Sequence, residues 1–574
     1  MDKKTIIGII LIAAILFLMP VYNKLVNPPS EESALKQTAT NDSNTDDESS
    51  LSYQDSHIDT LSNSKTSDLS SAKLQKPDAF SRDSSPLAID TLSDSLDAKE
   101  IFIETNDMRI IMSTRGADII SLKLLDHTYG NGELIQMVPQ DLDMPNLDIE
   151  LSSGSKTYTI ANTIFRSDKD TLLLDNADSV GAITFTGQLP DSSLIRRRLE
   201  FYANGYMIRH KLLVECNREP FDQYKLWWRR GLLPTEEKVA AELNMFKLTY
   251  KIADDVEKEK FKKGNPVEFS NTGSIDFAST QSKYFTLILA PSNGKADGVY
   301  CDGKFRDYLY NDNINQVPAI GIALLFRNTE EIISREHLLI ASPADYKLLE
   351  SCKQGLEDAI DLGWRWLLPI TKLILWLFDK IYQFLPNYGF VILIFTLLMK
   401  LLLLPLASKQ IKSMKEMQKI QPKLKELQEQ YRDNPEKLNK ATMALYKKHN
   451  VNPLGGCLPM IVQMPIFFAL YRALSLGFQF RQATFGLWLQ DLSSPDPYYV
   501  LPIIMAVTMF VQQKMTVKDP KQKMMVYIFP IFFLFIFRNM PAGLVLYWTF
   551  FNILTVIHNF ITKDPEPIGA DDES

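Results

Sequence analysis

Cysteine is scarce in this 574-residue chain, and the way it is spread argues against two kinds of site. Cys216, Cys301, Cys352 and Cys457 lie far apart, with no CxxC pair and no histidine at metal-ligand spacing. Neither a metal centre nor dithiol chemistry is therefore expected. Cys216 and Cys301 are able to pair if their segment is exported, so their disulfide state stays open.

Charge is missing from particular stretches, although 23% of all residues are charged. Apolar residues crowd near residue 10 and again beyond residue 366, so the composition is segmental. A chain of this length also exceeds one ordinary core, and at least two folded units are expected. The net charge of -7 comes partly from residues 31–97 and from the acidic tail 563–574, and it identifies no partner.

The N-terminal segment lacks a cleavage signal. Lys3 and Lys4 precede the apolar run from Ile6 to Met19, which is the layout of a secretory signal or a signal anchor. No A-x-A-like site follows, so residues 1–27 are predicted to be an uncleaved anchor with a cytoplasmic N-terminus. Residues 28–98 are rich in Ser, Asp, Thr and Asn, and are predicted to be a disordered linker because they cannot bury enough apolar surface.

Residues 99–345 change to short apolar runs separated by Gly, Asn, Asp and Pro, without helical patterns between them. The clearest of these predicted strands are Ile101–Thr105, Arg109–Ser113, Ile183–Thr186, Leu194–Tyr202, Met207–Val214, Tyr284–Leu289 and Ala319–Phe326. Many short strands of this kind predict a β-sandwich, which the N-terminal signal or anchor places outside the cytoplasm.

Two sets of side chains in this domain are compatible either with an enzymatic role or with simple packing. Both sets would suit a sugar-binding cleft: His210 with Glu215, and Trp227 and Trp228 beside Arg229 and Arg230. Alternation along a strand puts such side chains on sheet faces, where aromatic and arginine side chains usually pack. Packing is the favoured interpretation, and the chain is not expected to be an enzyme.

The C-terminal half is predicted to be a helical membrane bundle. Within residues 346–384, apolar residues recur at helical spacing from Trp364 to Ile381, which predicts an amphipathic interfacial helix. Residues 385–562 then contain five apolar segments, Tyr388–Leu406, Leu458–Leu474, Tyr498–Val511, Met524–Phe537 and Ala542–Ile561. The third and fourth have 14 residues each, fewer than the roughly 17 to 25 that span a bilayer core. If they cross, the bilayer is expected to be thinned locally.

The segment between the first two apolar segments is basic. Residues 409–448 hold 11 Lys or Arg and 5 Asp or Glu, which places this segment in the cytoplasm by the positive-inside rule. With the N-terminal anchor this makes six transmembrane helices, and both termini are cytoplasmic. The fold class is thus α+β, with an exported β-domain and a helical membrane bundle.

Residues 409–450 are themselves expected to form a helical hairpin. Apolar residues recur every three or four positions up to Tyr431, and Asn434 followed by Pro435 is a helix-start signal. The hairpin's basic face is either a contact for the ribosome or lipid head groups, or merely solvated. The lysines expected to make such contacts are Lys412, Lys415, Lys419 and Lys423.

Lys400 is a charge inside the first apolar segment of this half. A lysine in the middle of a membrane helix costs about 2.5 to 3.5 kcal/mol, so it either snorkels to the interface or has a functional partner. Thr396 lies one turn earlier on the same helix face, and Gln463, Trp548 and Asn552 are polar groups within other segments. Together they predict a polar recess. No acidic residue lies in the five segments, so the natural partner is a carboxylate on a visiting polypeptide.

Several short motifs carry a family resemblance. They are Asn387-Tyr-Gly-Phe390, Met443-Ala-Leu-Tyr446, Asn452-Pro-Leu-Gly-Gly-Cys457, Gln463-Met-Pro-Ile-Phe467, Asp496-Pro-Tyr-Tyr499, Gly543-Leu-Val-Leu-Tyr547 and, upstream, Ser113-Thr-Arg-Gly-Ala-Asp118. This set resembles the YidC/Oxa1/Alb3 membrane protein insertases, and is most similar to the Gram-negative type with a periplasmic β-supersandwich.

The resemblance implies a function in the bacterial inner membrane. It implies an insertase and chaperone that moves nascent membrane proteins into lipid, alone or beside the Sec translocon, without nucleotide or cofactor. It also implies a hydrophilic groove, in which Lys400 occupies the position of the family's positive residue. We expect substrates to slide along the third and fifth of the six spans, at about 458–474 and 524–537, with contacts at Phe467, Phe468, Ile528 and Phe532.

A secondary transporter that uses Lys400 as an ion or substrate site is the alternative from another class. Such transporters have paired repeats and usually carboxylates within the membrane. The sequence contains neither, which favours the insertase.

Overall fold

The computed structural model describes residues 97–562, apart from 141–143, 177, 218, 237–238, 262–266, 311–312, 353, 364–365, 433, 450–457 and 517–522. The predicted anchor 1–27, nearly all of the linker 28–98 and the tail beyond residue 562 lie outside the described residues. The described chain divides between Asp361 and Leu362 into two compact units.

The first unit consists mainly of β-strands, and all seven runs predicted as strands lie in or overlap them. The strands are β1 (Glu100–Glu104), β2 (Met108–Ser113), β3 (Asp118–Thr128), β4 (Leu134–Gln136), β5 (Leu147–Ser153), β6 (Lys156–Thr159), β7 (Arg166–Ser167), β8 (Thr171–Leu173), β9 (Val180–Gln188), β10 (Leu194–Tyr202), β11 (Met207–Glu215), β12 (Gln223–Trp228), β13 (Lys247–Ile252), β14 (Asp255–Lys260), β15 (Val267–Gln281), β16 (Phe285–Pro291), β17 (Ala296–Tyr310), β18 (Asn313–Arg327) and β19 (Ile332–Pro343). Two short helices, α1 (Val239–Leu243) and α2 (Tyr346–Ser351), accompany them.

These strands form two sheets. The smaller has the order β4-β3-β2-β1-β8, with β8 parallel to β1 and the other pairs antiparallel. The larger runs β6-β5-β12-β18-β17-β15-β16-β19-β11-β10-β9-β7, and β13 joins it through β15 and carries β14. Side chains alternate as a half-buried sheet requires: along β11, Ile208, His210, Leu212 and Val214 are buried while their neighbours are more exposed.

The larger sheet curls so that distant strands face one another. Tyr224 on β12 lies with its Oη 2.9 Å from Nε2 of His337 on β19, although these strands are not neighbours in the sheet. His210 stacks on His337, with ring centroids 5.4 Å apart, and both rings are fully buried. Burial lowers the pKa of His210 well below its usual value, and that of His337 to about 3, so both rings are neutral core groups.

The side chains weighed as a sugar-binding cleft are therefore part of the sheet. His210 accepts a hydrogen bond from Arg197 in the core, at 3.2 Å. Arg229 lies over the Trp227 ring, 4.4 Å from its centroid, and pairs with Asp148 and Glu150 on β5. Packing, the interpretation favoured from the sequence, fits these contacts.

The second unit is helical, and its bounds differ in part from those predicted. The helices are α3 (Leu368–Phe384), α4 (Tyr388–Gln430), α5 (Pro435–Lys448), α6 (Leu458–Leu476), α7 (Val500–Thr516), α8 (Lys523–Phe537) and α9 (Ala542–Ile561). Two of them, α7 with 17 residues and α8 with 15, exceed the 14 predicted for each. The helix that begins at Pro435 has Asn434 as its N-cap, whose side chain accepts from the Lys437 N–H at 3.0 Å.

The apolar segment Tyr388–Leu406 and the hairpin 409–450 are predicted as separate elements, but α4 runs from the first into the second as one helix of 43 residues. Pro405 and Pro422 lie inside it. Each proline removes one backbone hydrogen bond and disfavours the helix locally. Neither proline, however, is accompanied by a glycine or capping residue that would end the helix.

By length and composition, two described helical stretches are apolar enough to cross a membrane, Tyr388–Ser408 and Ala542–Ile561. The stretches Val462–Leu476, Val500–Met515 and Val526–Phe537 are apolar but shorter. The count of six spans and the cytoplasmic location of the hairpin therefore stay predictions.

A buried carboxyl group joins α1 to the preceding loop. Glu242 is 1% exposed and accepts backbone hydrogen bonds from Thr235 at 2.7 Å and from Glu236 at 2.9 Å. Burial raises the pKa of this carboxyl to about 7. A raised pKa means that the folded state holds the proton more tightly than the unfolded chain does.

We predict that Glu242→Gln flattens one part of the pH dependence of this unit's stability. The wild-type contribution of Glu242 is complete below its unfolded pKa and is lost as the pH rises towards 7. Relative to the variant, the wild type should therefore lose stability by up to about 1.4 kcal/mol per pH unit between pH 4.5 and 7. Urea midpoints from pulse proteolysis of the full chain in detergent measure this, and Glu257→Gln, at an exposed carboxylate of β14, is the control. Parallel curves for Glu242→Gln and wild type contradict the prediction.

Candidate functional site

The helical unit is built around a core of large apolar side chains. Phe378 of α3 is fully buried and lies edge-on to Phe395 of α4, with centroids 5.0 Å apart, and to Phe480 at 5.6 Å. On the opposite side of α3, Leu373 and Trp376 are exposed. One buried and one exposed apolar face are what an amphipathic helix at a membrane surface requires.

Helices α4 and α9 pack side by side in the same direction. A methyl group on Gly543 would lie 3.1 Å from Cδ1 of Ile392, so glycine permits close approach at this end. Further along, the rings of Phe395 and Tyr547 have centroids 6.1 Å apart. The pairs advance together along both helices, which sets a parallel register and brings Lys400 of α4 opposite the last turns of α9.

This parallel packing of α4 and α9 buries Lys400. The residue is 7% exposed, and its Nζ donates a hydrogen bond to Oγ1 of Thr555 at 2.7 Å. The ammonium group also lies 4.7 Å from the ring centroid of Phe551. Snorkelling would put the ammonium group in bulk solvent beyond the helix packing, whereas here it lies against α9.

The four predicted companions of Lys400 are all buried or half-buried, but they do not form one cluster. Thr396 donates its hydroxyl to the Ile392 carbonyl of its own helix at 2.6 Å. Gln463 donates to Oη of Tyr547 at 3.3 Å. Asn552 lies four residues after Trp548 and three before Thr555, so all three side chains share one face of α9.

Two of these companions have polar atoms left over. Among the described residues, Nδ2 of Asn552 and Nε1 of Trp548 are buried donors without an acceptor, and Nε2 of His558 is buried without a hydrogen-bond partner. Buried polar groups are almost always satisfied in folded proteins. This face of α9 therefore offers N–H groups to an acceptor that the chain itself does not provide.

Thr555, Phe551 and Tyr547 are contacts that sequence reasoning missed. The pair Trp548 and Asn552 was recognised from its i, i+4 spacing. The same face continues to Thr555, three residues beyond Asn552, and extending the count by one turn would have found it.

The predicted slide residues fall into two environments. Phe467 is half-buried in an aromatic cluster, with ring centroids 5.2 Å from Trp548 and 6.1 Å from Phe537. Phe468 lies beside it at 5.7 Å. Ile528 and Phe532 are instead exposed on one face of α8, four residues apart.

Of the predicted hairpin contacts, Lys419 and Lys423 are exposed on α4, whereas the side chains of Lys412 and Lys415 lie outside the described part.

The beginnings of α4 and α9 are tied to the loop between α6 and α7. Asn387 caps α4 by accepting from the N–H of Gly389 at 2.9 Å, and donates to the carbonyls of Thr484 and Phe485 in the loop. Backbone N–H groups of Ala542 and Gly543 donate to loop carbonyls at 2.8 and 2.9 Å. First-turn N–H groups lack partners within a helix, so the loop satisfies them.

The same loop is held by its own polar contacts. Asp496 accepts from the indole N–H of Trp488 at 3.1 Å and from the backbone N–H of Leu501, in the first turn of α7, at 2.7 Å. The motifs around Asn387, Asp496 and Gly543 thus meet at one end of the bundle and close it with backbone hydrogen bonds.

Comparison with known proteins covers both units. Residues 380–567 match the family described as 60Kd inner membrane protein, and residues 100–377 match the family described as YidC periplasmic domain. A membrane protein insertase YidC of Geotalea daltonii is 35% identical over 501 residues, which are 85% of this chain and 89% of that protein. Another, of Syntrophus aciditrophicus, is 32% identical over 573 residues, which are 97% and 98% of the two chains.

This chain belongs to the YidC family of membrane protein insertases. It is thus an inner-membrane protein with a β-rich periplasmic domain, as its sequence motifs predicted. A crystal structure described as active YidC insertase with the first transmembrane domain resolved covers 82% of this chain and 94% of its own, at 16% identity and a TM-score of 0.36. Membership in the YidC family supports the insertase and lends nothing to the transporter alternative.

In this YidC-family chain, the closed end of the bundle depends on a glycine. A side chain at Gly389 would overlap Phe485, coming within 2.7 Å of its Cβ. We predict that Gly389→Ala destabilises the bundle by about 1 to 3 kcal/mol, the usual cost of overpacking. Thermal unfolding in detergent measures the loss.

A double-mutant cycle with Phe485→Ala supplies the control. Removing the ring makes room for the methyl group, so the double variant should be less destabilised than the sum of the two single variants. Additive losses would mean that the glycine acts through something other than this contact.

Proposed function

We propose that this insertase receives the acidic end of a nascent membrane protein at Lys400, in a groove between α4 and α9. The buried ammonium group carries this proposal. Among the described parts of α4 up to Ser408 and of α6 to α9, no Asp or Glu is present to neutralise it. A cation in a low-dielectric site attracts an incoming carboxylate far more strongly than it would in water.

The remaining groups of the groove then receive the polypeptide backbone. The N–H groups of Asn552 and Trp548 have no acceptor among the described residues. They suit the carbonyl oxygens of an extended segment or the water that accompanies it. Thr396 and Gln463 complete the polar lining, and a substrate's charged end is thereby kept partly hydrated within the membrane.

Lateral release is proposed along α6 and α8. Ile528 and Phe532 give α8 an exposed apolar face, while Phe467 and Phe468 border the aromatic cluster around Trp548. With 15 residues, α8 is roughly 22 Å long, shorter than a bilayer core of about 30 Å. Thinning of the bilayer beside such a helix lowers the barrier for a polar segment that crosses there.

The proposed topology has six spans with both termini in the cytoplasm. Two observations support it: the basic balance of residues 409–448, and the parallel register of α4 and α9, since these helices cross in the same direction when five spans follow the periplasmic domain. The loop that closes the bundle then faces the periplasm, and the groove opens towards the cytoplasm and the lipid.

Partners follow from the same arrangement. The exposed lysines of α4, Lys419 and Lys423, with Lys412 and Lys415, are proposed to contact a ribosome or lipid head groups. Helix α3 is proposed to lie on the bilayer through Leu373 and Trp376. The Sec translocon is the proposed companion for larger substrates.

The first test removes the charge. Lys400→Ala should reduce insertion of a substrate with an acidic translocated tail about tenfold, whereas Lys400→Arg should retain most of it, because the charge rather than the lysine shape attracts the carboxylate. Insertion into inverted vesicles or proteoliposomes, scored by protease protection of the tail, measures this. A matched substrate with Asp and Glu replaced by Asn and Gln should respond weakly.

Lys514→Ala is the matched control, because Lys514 is an exposed lysine in the last turn of α7. Equal activity of the wild type, Lys400→Ala and Lys400→Arg on the acidic substrate contradicts the proposal.

The second test concerns topology. In a variant without native cysteines, a cysteine placed at Lys419 should react with an impermeant thiol reagent only from the cytoplasmic side. One placed at Leu487, which is 63% exposed in the loop before α7, should react only from the periplasm. The proposed topology puts one span, α6, between these positions. Labelling of both positions from the same side of the membrane therefore contradicts it.

A further inference from the structure

Thr555 and Phe551 are the groups that hold Lys400. Thr555 Oγ1 accepts a hydrogen bond from the Lys400 ammonium group at 2.7 Å and donates its own hydroxyl hydrogen bond to the Phe551 carbonyl, also at 2.7 Å. With its single proton committed, the hydroxyl can meet the ammonium group only as an acceptor. The Phe551 ring lies over the same ammonium group at 4.7 Å from its centroid.

These two contacts stabilise the charge without neutralising it. An ammonium group has three N–H donors, and among the described residues only one of Lys400's reaches an acceptor. A hydroxyl dipole and an aromatic face lower the cost of burying the cation. The full positive charge and two donors are left for a ligand.

We propose that Thr555 and Phe551 are positioning residues that fix the Lys400 ammonium group in the groove and thereby set the insertase's preference for acidic substrates. This inference rests on the proposed function of Lys400. Without the hydroxyl, the flexible lysine stem carries its charge to the nearest water, and a carboxylate in the groove no longer meets it.

The chain provides a matched control on the same helix. Thr549 is 4% exposed and donates its hydroxyl to the Val545 carbonyl at 2.7 Å, the same type of bond to the residue four positions earlier that Thr555 makes. Thr549→Val therefore reproduces the loss of a buried threonine hydroxyl in α9 without removing the acceptor of Lys400.

The experiment compares Thr555→Val, Thr555→Ser, Phe551→Leu, Thr549→Val, Lys400→Ala and the double variant Lys400→Ala/Thr555→Val in proteoliposomes. The readout is the ratio of insertion of the acidic-tail substrate to that of its amide counterpart, so a general loss of folding cancels. Thr555→Val should lower this ratio about tenfold, the usual scale for a hydrogen bond to a charged group. Thr555→Ser should retain it, and Phe551→Leu should lower it less than Thr555→Val does.

The double variant separates positioning from other roles. If Thr555 acts through Lys400, its substitution has no further effect once Lys400 is alanine. A further drop in the double variant, or an equal drop in Thr549→Val, overturns the inference and leaves the role of Lys400 intact. An unchanged ratio in Lys400→Ala overturns the proposed function and this inference together.

Discussion

The membrane half of this insertase is organised around a lysine charge that no carboxylate of the described helices neutralises. Burying such a charge in a membrane helix costs about 2.5 to 3.5 kcal/mol, and the remaining core must supply that stability. The bundle does so with close-packed rings around Phe378, Phe395 and Tyr547, and with one hydroxyl and one aromatic face at the ammonium group. Apolar packing therefore offsets the free-energy cost of keeping the charge buried and available to a ligand.

The closed end of the bundle fixes where that charge lies. Loop carbonyls bind the first N–H groups of α9, and Asn387 ties the start of α4 to the same loop. From Gly543 to Thr555 the helix rises about 18 Å, and from Ile392 to Lys400 about 12 Å, a difference that the four-carbon stem of lysine is able to span. Contacts near Gly389 thus govern the position of a side chain several turns away.

Local signals in the sequence were sufficient for most single elements. Alternating residues predicted strands such as Leu194–Tyr202, and an uninterrupted apolar run predicted Ala542–Ile561 with the bounds that the structure has. The continuity of α4 from the apolar segment into the hairpin was not predicted; Pro405 and Pro422 lie inside this helix without ending it. The order of the large sheet was beyond local patterns, since β5 pairs with β12 and β11 with β19. Spacing along α9 places Thr555 on the face of Trp548 and Asn552, but its contact with Lys400, 155 residues away in sequence, is not a local signal.

A second buried cation helps to distinguish structure from function. Arg197, in the periplasmic unit, is also fully buried and forms no ion pair among the described residues. It donates to the carbonyls of Gly116 and Ala117 at 2.6 and 3.1 Å, in the turn between β2 and β3, and to the ring of His210 on β11 at 3.2 Å. Three of its five N–H donors are thus used within the unit, and only its Nη2 is buried without a partner among the described residues. Among the described residues, Lys400 makes one such bond, and its other two donors have no acceptor. A cation that donates most of its hydrogen bonds to its own chain stabilises the fold. Lys400 is mostly unsatisfied, and the neighbouring N–H groups of Asn552 and Trp548 also have no acceptor among the described residues, so this site is suited to bind an outside ligand.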